Sequence, residues 1–289
     1  MSEQLLTIEE ICSRTTELPS IPAAALKVIK ETDSSTSTAN SVAQILSTDQ
    51  ALTARILRLA NSAYYGLARR VGNVSEAVVV LGMRTVRNLA IVASSYPWLT
   101  KPVPGYELGA KDLWLHSFGV AIGAQVVAKR ARFAQEEQAF TAGLLCDIGK
   151  LALSVWFEEK TPKMLQLAQL KGNTFSQVER MLLGYDHAEV GAYLAETWNF
   201  PKEIVEAIKY HHDPEQCPDR TMLVDCVHMG DYLTMLMGFG LGGDGMQYRF
   251  AEDTLERLGI AVEELDDVIS EFVTKYKEHE KMFEDLQAA

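Results

Sequence analysis

The chain has 289 residues, 47% of them hydrophobic, enough for a buried core in one large or two medium domains, and disorder of the whole is excluded. Its 39 Asp and Glu outnumber 27 Lys and Arg, and the net charge of -12 argues against a nucleic-acid polyanion as partner. The 4 cysteines show no C-x-x-C spacing, and no signal peptide or long uncharged apolar window is found. A cytoplasmic protein with reduced thiols and no membrane span is therefore expected.

Apolar residues recur at helical spacing nearly throughout, with no alternating strand, so the fold class is all-α: a multi-helix bundle with an N-terminal helical subdomain. Thr7 with Glu10 three residues on forms a capping box for a first helix, which must stop before Leu18-Pro19. Ser20 and Pro22 open a second helix with Ile21, Ala25, Val28 and Ile29 on one face. A polar turn over Asp33 to Ser37 precedes a third helix that runs to about Ser47. Asp49 caps a fourth with the stripe Leu52, Ile56, Leu59 and Ala63, ending at Gly66. Ser75 is expected to cap a short fifth, and Gly82 separates it from a sixth.

Pro97, Pro102, Pro104 and Gly105 are a dense cluster of helix breakers, and the subdomain boundary is placed there, dividing residues 1–100 from 101–289. Beyond it come a long helix from about Glu107 to Arg130 and one buried helix over residues 141–153, TAGLLCDIGKLAL. Helices capped by Thr174 (with Gln177) and Asp186 (with Glu189) follow. Another runs from Pro201 to His211 and His212, and a further one from Thr221 to Met237. The glycine-rich GFGLGGDG reads as a flexible loop. The tail from Ala251 carries twelve acidic and four basic residues on an amphipathic pattern of Leu258, Val262, Leu265, Ile269, Phe272 and Tyr276, a charged surface helix with one buried face.

Imidazoles and carboxylates recur through the C-terminal half as His116, Asp147, His187, His211, His212 and Asp231. Each falls inside or at the end of an expected helix, which is how bundles aim ligands from separate helices into one cavity. A mixed N/O set suits Mn, Fe, Zn or Ni better than Mg or Ca. Taken singly, each also reads as a structural residue, His116 as a core histidine and Asp231 as a buried acceptor, while His228 and His279 are assigned to packing and to the surface. The asymmetry of charge is a second feature: between Asp49 and Lys101 there are seven basic and two acidic residues. Arg55 with Arg58, and Arg84 with Arg87, are spaced i,i+3. They read either as a solvated face or as a docking face for an acidic partner.

GLLCDIGKLAL resembles the GLLHDIGKL element of HD-domain phosphohydrolases. The preceding Leu18-Pro19-Ser20-Ile21-Pro22, the stretch STDQALTARILRLANSAYYG and the Ala77-x-x-x-Leu81-Gly82 core are similar to the HDOD domain, as is HAEVGAYLAETWNFPKEIVEAIKYHH downstream. The resemblance covers about residues 18–212. It implies a helical bacterial signal-transduction module that works through contacts with a signalling partner, with no catalysis and with a degenerate site open to a divalent metal or small ligand. Residue by residue, it implies His116 as the first HD histidine, Asp147 and Lys150 as the motif's Asp and Lys, and His187, His211, His212 and Asp231 as further ligands. Cys146 stands where the motif has His. The alternative it implies is a metal-dependent phosphohydrolase with Asp147 and Lys150 as catalytic residues and Cys146 in place of the histidine.

Overall fold

A computed structural model describes residues 6–15, 20–62 apart from 33 and 35, 65–158, 164, 166–167, 173–243, 245 and 249–287. The fold is all-α: the described residues contain helices and short 3-10 turns, with one isolated bridge between Val103 and Leu108 and no strand. Contacts divide the chain into two compact units, one made of Met1–Pro19 with Trp98–Phe272 and the other of Ser20–Pro97 with Val273–Ala289.

In the smaller unit, α2 (Ala23–Thr32), α3 (Ala39–Leu46), α4 (Gln50–Ala60) and α5 (Val74–Leu81) pack through Ala25, Val28, Ile29, Val42, Leu46, Leu52, Ile56 and Leu59, all buried. Asp49 accepts from the Leu52 amide at 2.9 Å, capping α4 as its sequence requires. That helix ends at Ala60, not at Gly66. The Asn61 side chain donates to the Leu57 carbonyl at 2.8 Å and pairs with both backbone groups of Val71, so the chain turns back six residues before the glycine. Ala63 and the Leu18-Pro19 stop lie outside the described residues. The cap of α5 is Asn73, whose Oδ1 accepts from the Glu76 amide, and Ser75 lies within the first turn. In α6 (Met83–Leu99), Pro97 does not break the helix, since a proline this close to the end removes only one backbone bond. Arg84 is exposed, but Arg87 is buried. Three helical residues turn the chain by about 300°, which carries Arg87 to the inner side beside Val86 and removes it from the expected basic face.

The larger unit holds α1 (Ile8–Arg14), α7 (Asp112–Arg130), α8 (Glu136–Leu145), α9 (Gly149–Phe157), α10 (Phe175–Leu183), α11 (His187–Thr197), α12 (Lys202–Lys209), α13 (Met222–Leu236) and α14 (Thr254–Leu258). The capping boxes at Thr7/Glu10, Thr174/Gln177 and Asp186/Glu189 are all present. At the centre α7 packs along α8 and α13, and it is buried over most of its length. Close approach depends on residues without side chains: a Cβ on Gly230 would stand 2.4 Å from the Ala124 amide nitrogen. Residues 136–157 are long and apolar enough to cross a membrane by composition, but 83% of the 18-residue apolar window within them is buried inside the protein.

Residues 141–153 are not one helix: α8 stops at Leu145, residues 146–148 form a turn, and α9 begins at Gly149. The glycine-rich segment is a loop as expected, and where described it packs closely against its neighbours. A Cβ on Gly240 would sit 2.1 Å from the Asp112 carbonyl, and the Gly243 amide donates to the Tyr106 carbonyl at 2.8 Å. In α15 (Leu265–Gln287), Val268, Phe272 and Tyr276 are buried, whereas Val262, expected on that stripe, is 66% exposed because it opens a 3-10 turn.

Candidate metal centre

The turn at Cys146-Asp147-Ile148 positions the central carboxylate. Asp147 sits at the corner between α8 and α9. That corner closes on α11 because Gly149 has no side chain: a Cβ there would fall 1.9 Å from the His187 carbonyl oxygen. His187 is the first residue of α11, fixed by the capping box of Asp186 and Glu189. His211 and His212 follow the end of α12. His116 comes from α7 and Asp231 from α13, two helices packed together.

All six expected ligands converge. Asp147 Oδ1 lies 3.3 Å from His187 Nε2 and 3.7 Å from His211 Nε2, while Oδ2 lies 3.3 Å from His116 Nε2 and 3.1 Å from Lys150 Nζ. Asp231 reaches His116 Nε2 at 3.0 Å with one oxygen and His212 Nδ1 at 3.2 Å with the other. His187 and His212 face each other Nε2 to Nε2 at 3.0 Å. Every one of these groups is buried. Asp147, His187, His211 and His212 each offer a ligand atom within 4.8 Å of the others, while His116 and Asp231 stand beside this group.

The electrostatics follow from that burial. Desolvation opposes the charge on Asp147, yet the Lys150 ammonium and the nearby imidazoles of His187, His211 and His116 hold its carboxyl well below the usual range. Asp231 is likewise lowered, its burial outweighed by His116 and His212. Burial would lower His187, but Glu179 beside it and Asp147 across from it lift it to about 10. His116 is raised by Asp231 and Asp147 against its own burial, and His212 is driven well below its ordinary value by desolvation and the nearby His211.

The residues fit a divalent cation. Asp147 Oδ1 and His211 Nε2 are buried with no hydrogen bond, and they point at each other across a short gap. A buried acceptor left in that state is costly unless something else occupies the gap. Three imidazoles and one carboxylate suit Zn, Mn, Fe or Ni. His211 donates its other ring nitrogen's proton to the Ile208 carbonyl at 2.7 Å, which leaves Nε2 as the lone-pair nitrogen.

Cys146 takes no part. Its thiol donates to the Gly143 carbonyl at 3.2 Å, and burial together with Asp147 and Asp231 pushes it well above its ordinary range. His228 is a packing residue as expected, with Nδ1 donating to the His211 carbonyl and Nε2 accepting from the Ala251 amide. His279 is half-buried, not a surface residue.

Two participants are absent from the sequence-based set. Glu179, fully buried on α10, lies 2.7 Å from His187 Nδ1, and the Tyr106 hydroxyl donates to its other oxygen. Glu179 could have been found from its phase, since it falls on the buried face of an amphipathic helix with Phe175 and Val178.

The space beside the cluster is small. A cavity of about 10 Å³, bounded by His116, Asp147, Lys150, His212 and Gly240, is roughly what one water needs. The Phe239 carbonyl lies 3.2 Å from His116 Nδ1. A separate, open cleft of about 680 Å³ has His212 in its wall and Arg180, Lys209 and Arg249 among its lining.

Comparison with known proteins adds four findings. The HDOD domain family matches residues 18–214. Among solved structures, an HDOD domain protein of unknown function from Geobacter sulfurreducens is 28% identical, with a TM-score of 0.70 over 96% of this chain and 95% of that one. A protein from Shewanella amazonensis SB2B, provisionally described as a phosphohydrolase, is 29% identical, with a TM-score of 0.71 over 96% and 97%. A curated, uncharacterized protein of Treponema pallidum is 25% identical over 214 residues, which is 72% of this chain but only 40% of that relative's length.

Proposed function

The chain belongs to the HDOD family, and on that premise we propose that it is a regulatory module without hydrolytic activity that holds a divalent metal between Asp147, His187, His211 and His212. HDOD membership supports the regulatory role. The observation that carries the metal is the pair of buried, hydrogen-bond-free atoms Asp147 Oδ1 and His211 Nε2 within a four-residue donor group. The observation that weighs against hydrolysis is the small space, about 10 Å³, beside His116, Asp147 and Lys150, while the open cleft is lined by only one residue of the donor group, His212.

A bound divalent ion would supply positive charge and Lewis acidity at this spot. The chain's own residues hold it and limit what reaches it. Asp147 and the three imidazoles bind it; Asp231 orients His116 and His212; Lys150 neutralises the second oxygen of Asp147; Gly240 and Leu241 line the small cavity beside them. The module acts in the cytoplasm, consistent with four cysteines that are buried and free of disulfides. It passes its signal to an acidic protein partner at the basic face of Arg55, Arg58 and Arg84.

A second reading, a metal-dependent phosphohydrolase, is favoured by Lys150 at 3.1 Å from Asp147, a cation beside the donor group, and by the provisional description of the Shewanella relative. A screen of phosphomonoesters, phosphodiesters and nucleotides with Mn, Fe or Zn separates the two. No turnover above the Asp147→Asn variant is expected. Turnover abolished by Asp147→Asn would establish the hydrolase.

A further inference from the structure

We propose that Glu179 and Tyr106 are positioning residues for the metal centre, fixing His187 with Nδ1 turned outward and Nε2 turned into the donor group. This inference rests on the metal-holding reading above. Glu179 is fully buried, and its ion-pair partner is the imidazole of His187. A carboxylate so placed is expensive unless its oxygens are filled. They are: Oε2 accepts from the His187 amide at 3.1 Å and faces the same residue's Nδ1 at 2.7 Å, and Oε1 accepts from the Tyr106 hydroxyl.

The consequence for His187 is geometric. One carboxylate oxygen grips both its backbone and its ring, so the ring cannot flip without breaking a charge-assisted bond. The other nitrogen is thereby left 3.3 Å from Asp147 Oδ1 and 3.0 Å from His212 Nε2, at the donor group. A carboxylate behind an imidazole also makes the ligating nitrogen a stronger donor.

Tyr106 in turn anchors Glu179. It is fully buried, packs edge-on against Phe157 at 5.9 Å and tilted against Phe175 at 5.7 Å, and its ring also meets His187 edge-on at 6.3 Å. Its carbonyl is held by the Gly243 amide, so the tyrosine ties the glycine-rich segment to the residue behind His187.

The test uses the full chain, with Zn²⁺ affinity measured by competition against a chromophoric chelator. Glu179→Gln keeps the volume but turns an amide NH₂ toward one of the donors and removes the charge, and it should weaken Zn²⁺ binding by about 10- to 100-fold. Tyr106→Phe keeps the ring packing and the carboxylate, and a smaller loss, under about 10-fold, is expected. Circular dichroism and thermal unfolding verify that each variant is folded, and Tyr106→Phe carries the test if Glu179→Gln is not. A second readout needs no metal: in ¹⁵N-histidine NMR spectra of the metal-free protein, His187 should show a protected, downfield Nδ1 proton that Glu179→Gln loses. Folded variants with Zn²⁺ affinity within about twofold of wild type would overturn the proposal. Wild-type protein that binds no Zn²⁺ would defeat the metal reading instead, and the Nδ1 proton would then decide on its own whether Glu179 orients His187.

Discussion

Gly149 is where the geometry of the centre is most exposed to a single methyl group. In Gly149→Ala the new Cβ would stand 1.9 Å from the His187 carbonyl oxygen and 2.8 Å from the Gly191 amide nitrogen, both backbone atoms that no rotamer change can move away. Real Cβ contacts essentially never fall below 3.0 Å, so α9 and α11 must part by at least about 1.1 Å, the difference between 3.0 and 1.9. Overpacking of this kind typically costs 1–3 kcal/mol, and with rigid backbone on both sides about 3 kcal/mol is the reasonable figure. That corresponds to a fall in Tm of about 6–12 °C for a unit of this size. The assay is chemical and thermal denaturation in excess chelator, so that no metal linkage enters. Gly72→Ala is the control, since its Cβ would meet only the end of the Glu76 side chain at 4.0 Å. The same separation stretches the 3.3 Å contact between His187 and Asp147, so metal affinity should fall as well. If Gly149→Ala is within about 0.5 kcal/mol of wild type, as surface substitutions are, the close crossing of α9 and α11 is wrong.

Cys146→Ser should leave metal stoichiometry and affinity unchanged, because the thiol donates to Gly143 and stands outside the donor group; loss of metal in that variant, measured by the same chelator competition, would make the cysteine a ligand after all. His228 is held below its ordinary value of 6.5 by burial. The unfolded chain therefore takes up a proton that the folded one refuses, and the stabilising contribution is complete above about pH 6.5 and lost as the pH falls. His228→Asn in chelator should flatten the stability curve between pH 6.5 and 5 by up to about 1.4 kcal/mol per pH unit. A slope equal to that of wild type would contradict the neutral, doubly bonded imidazole.

Local chemistry was legible in the sequence and long-range chemistry was less so. Thr7, Thr174 and Asp186 announce their helices because a cap and its partner lie three residues apart, and all three capping boxes form. The six ligand candidates were legible as a set because each falls at a helix end or on a helix that the bundle turns inward. The break between α8 and α9 was not. Leu145-Cys146-Asp147-Ile148 contains no proline, and the turn there sits beside the close approach of α11 to Gly149, a tertiary contact that propensity does not record. Arg87 was misplaced for a related reason: an i,i+3 spacing gives neighbours on a helix but not which neighbour meets solvent. Glu179 was one acidic residue among 39 until its phase with Phe175 and Val178 set it apart. Asn61 illustrates the same limit in the smaller unit, since its pairing with Val71 spans ten residues that no local motif links.

The central claim is that these buried groups hold a metal, and a titration of metal-free protein with Co²⁺, followed by visible absorption, tests it most directly. Stoichiometric binding of one Co²⁺ per chain, with the d–d bands of a nitrogen- and oxygen-ligated ion, is expected for wild type and should be lost in a folded Asp147→Asn variant. A wild-type spectrum no different from that of Asp147→Asn, with no saturable binding at micromolar Co²⁺, would contradict it.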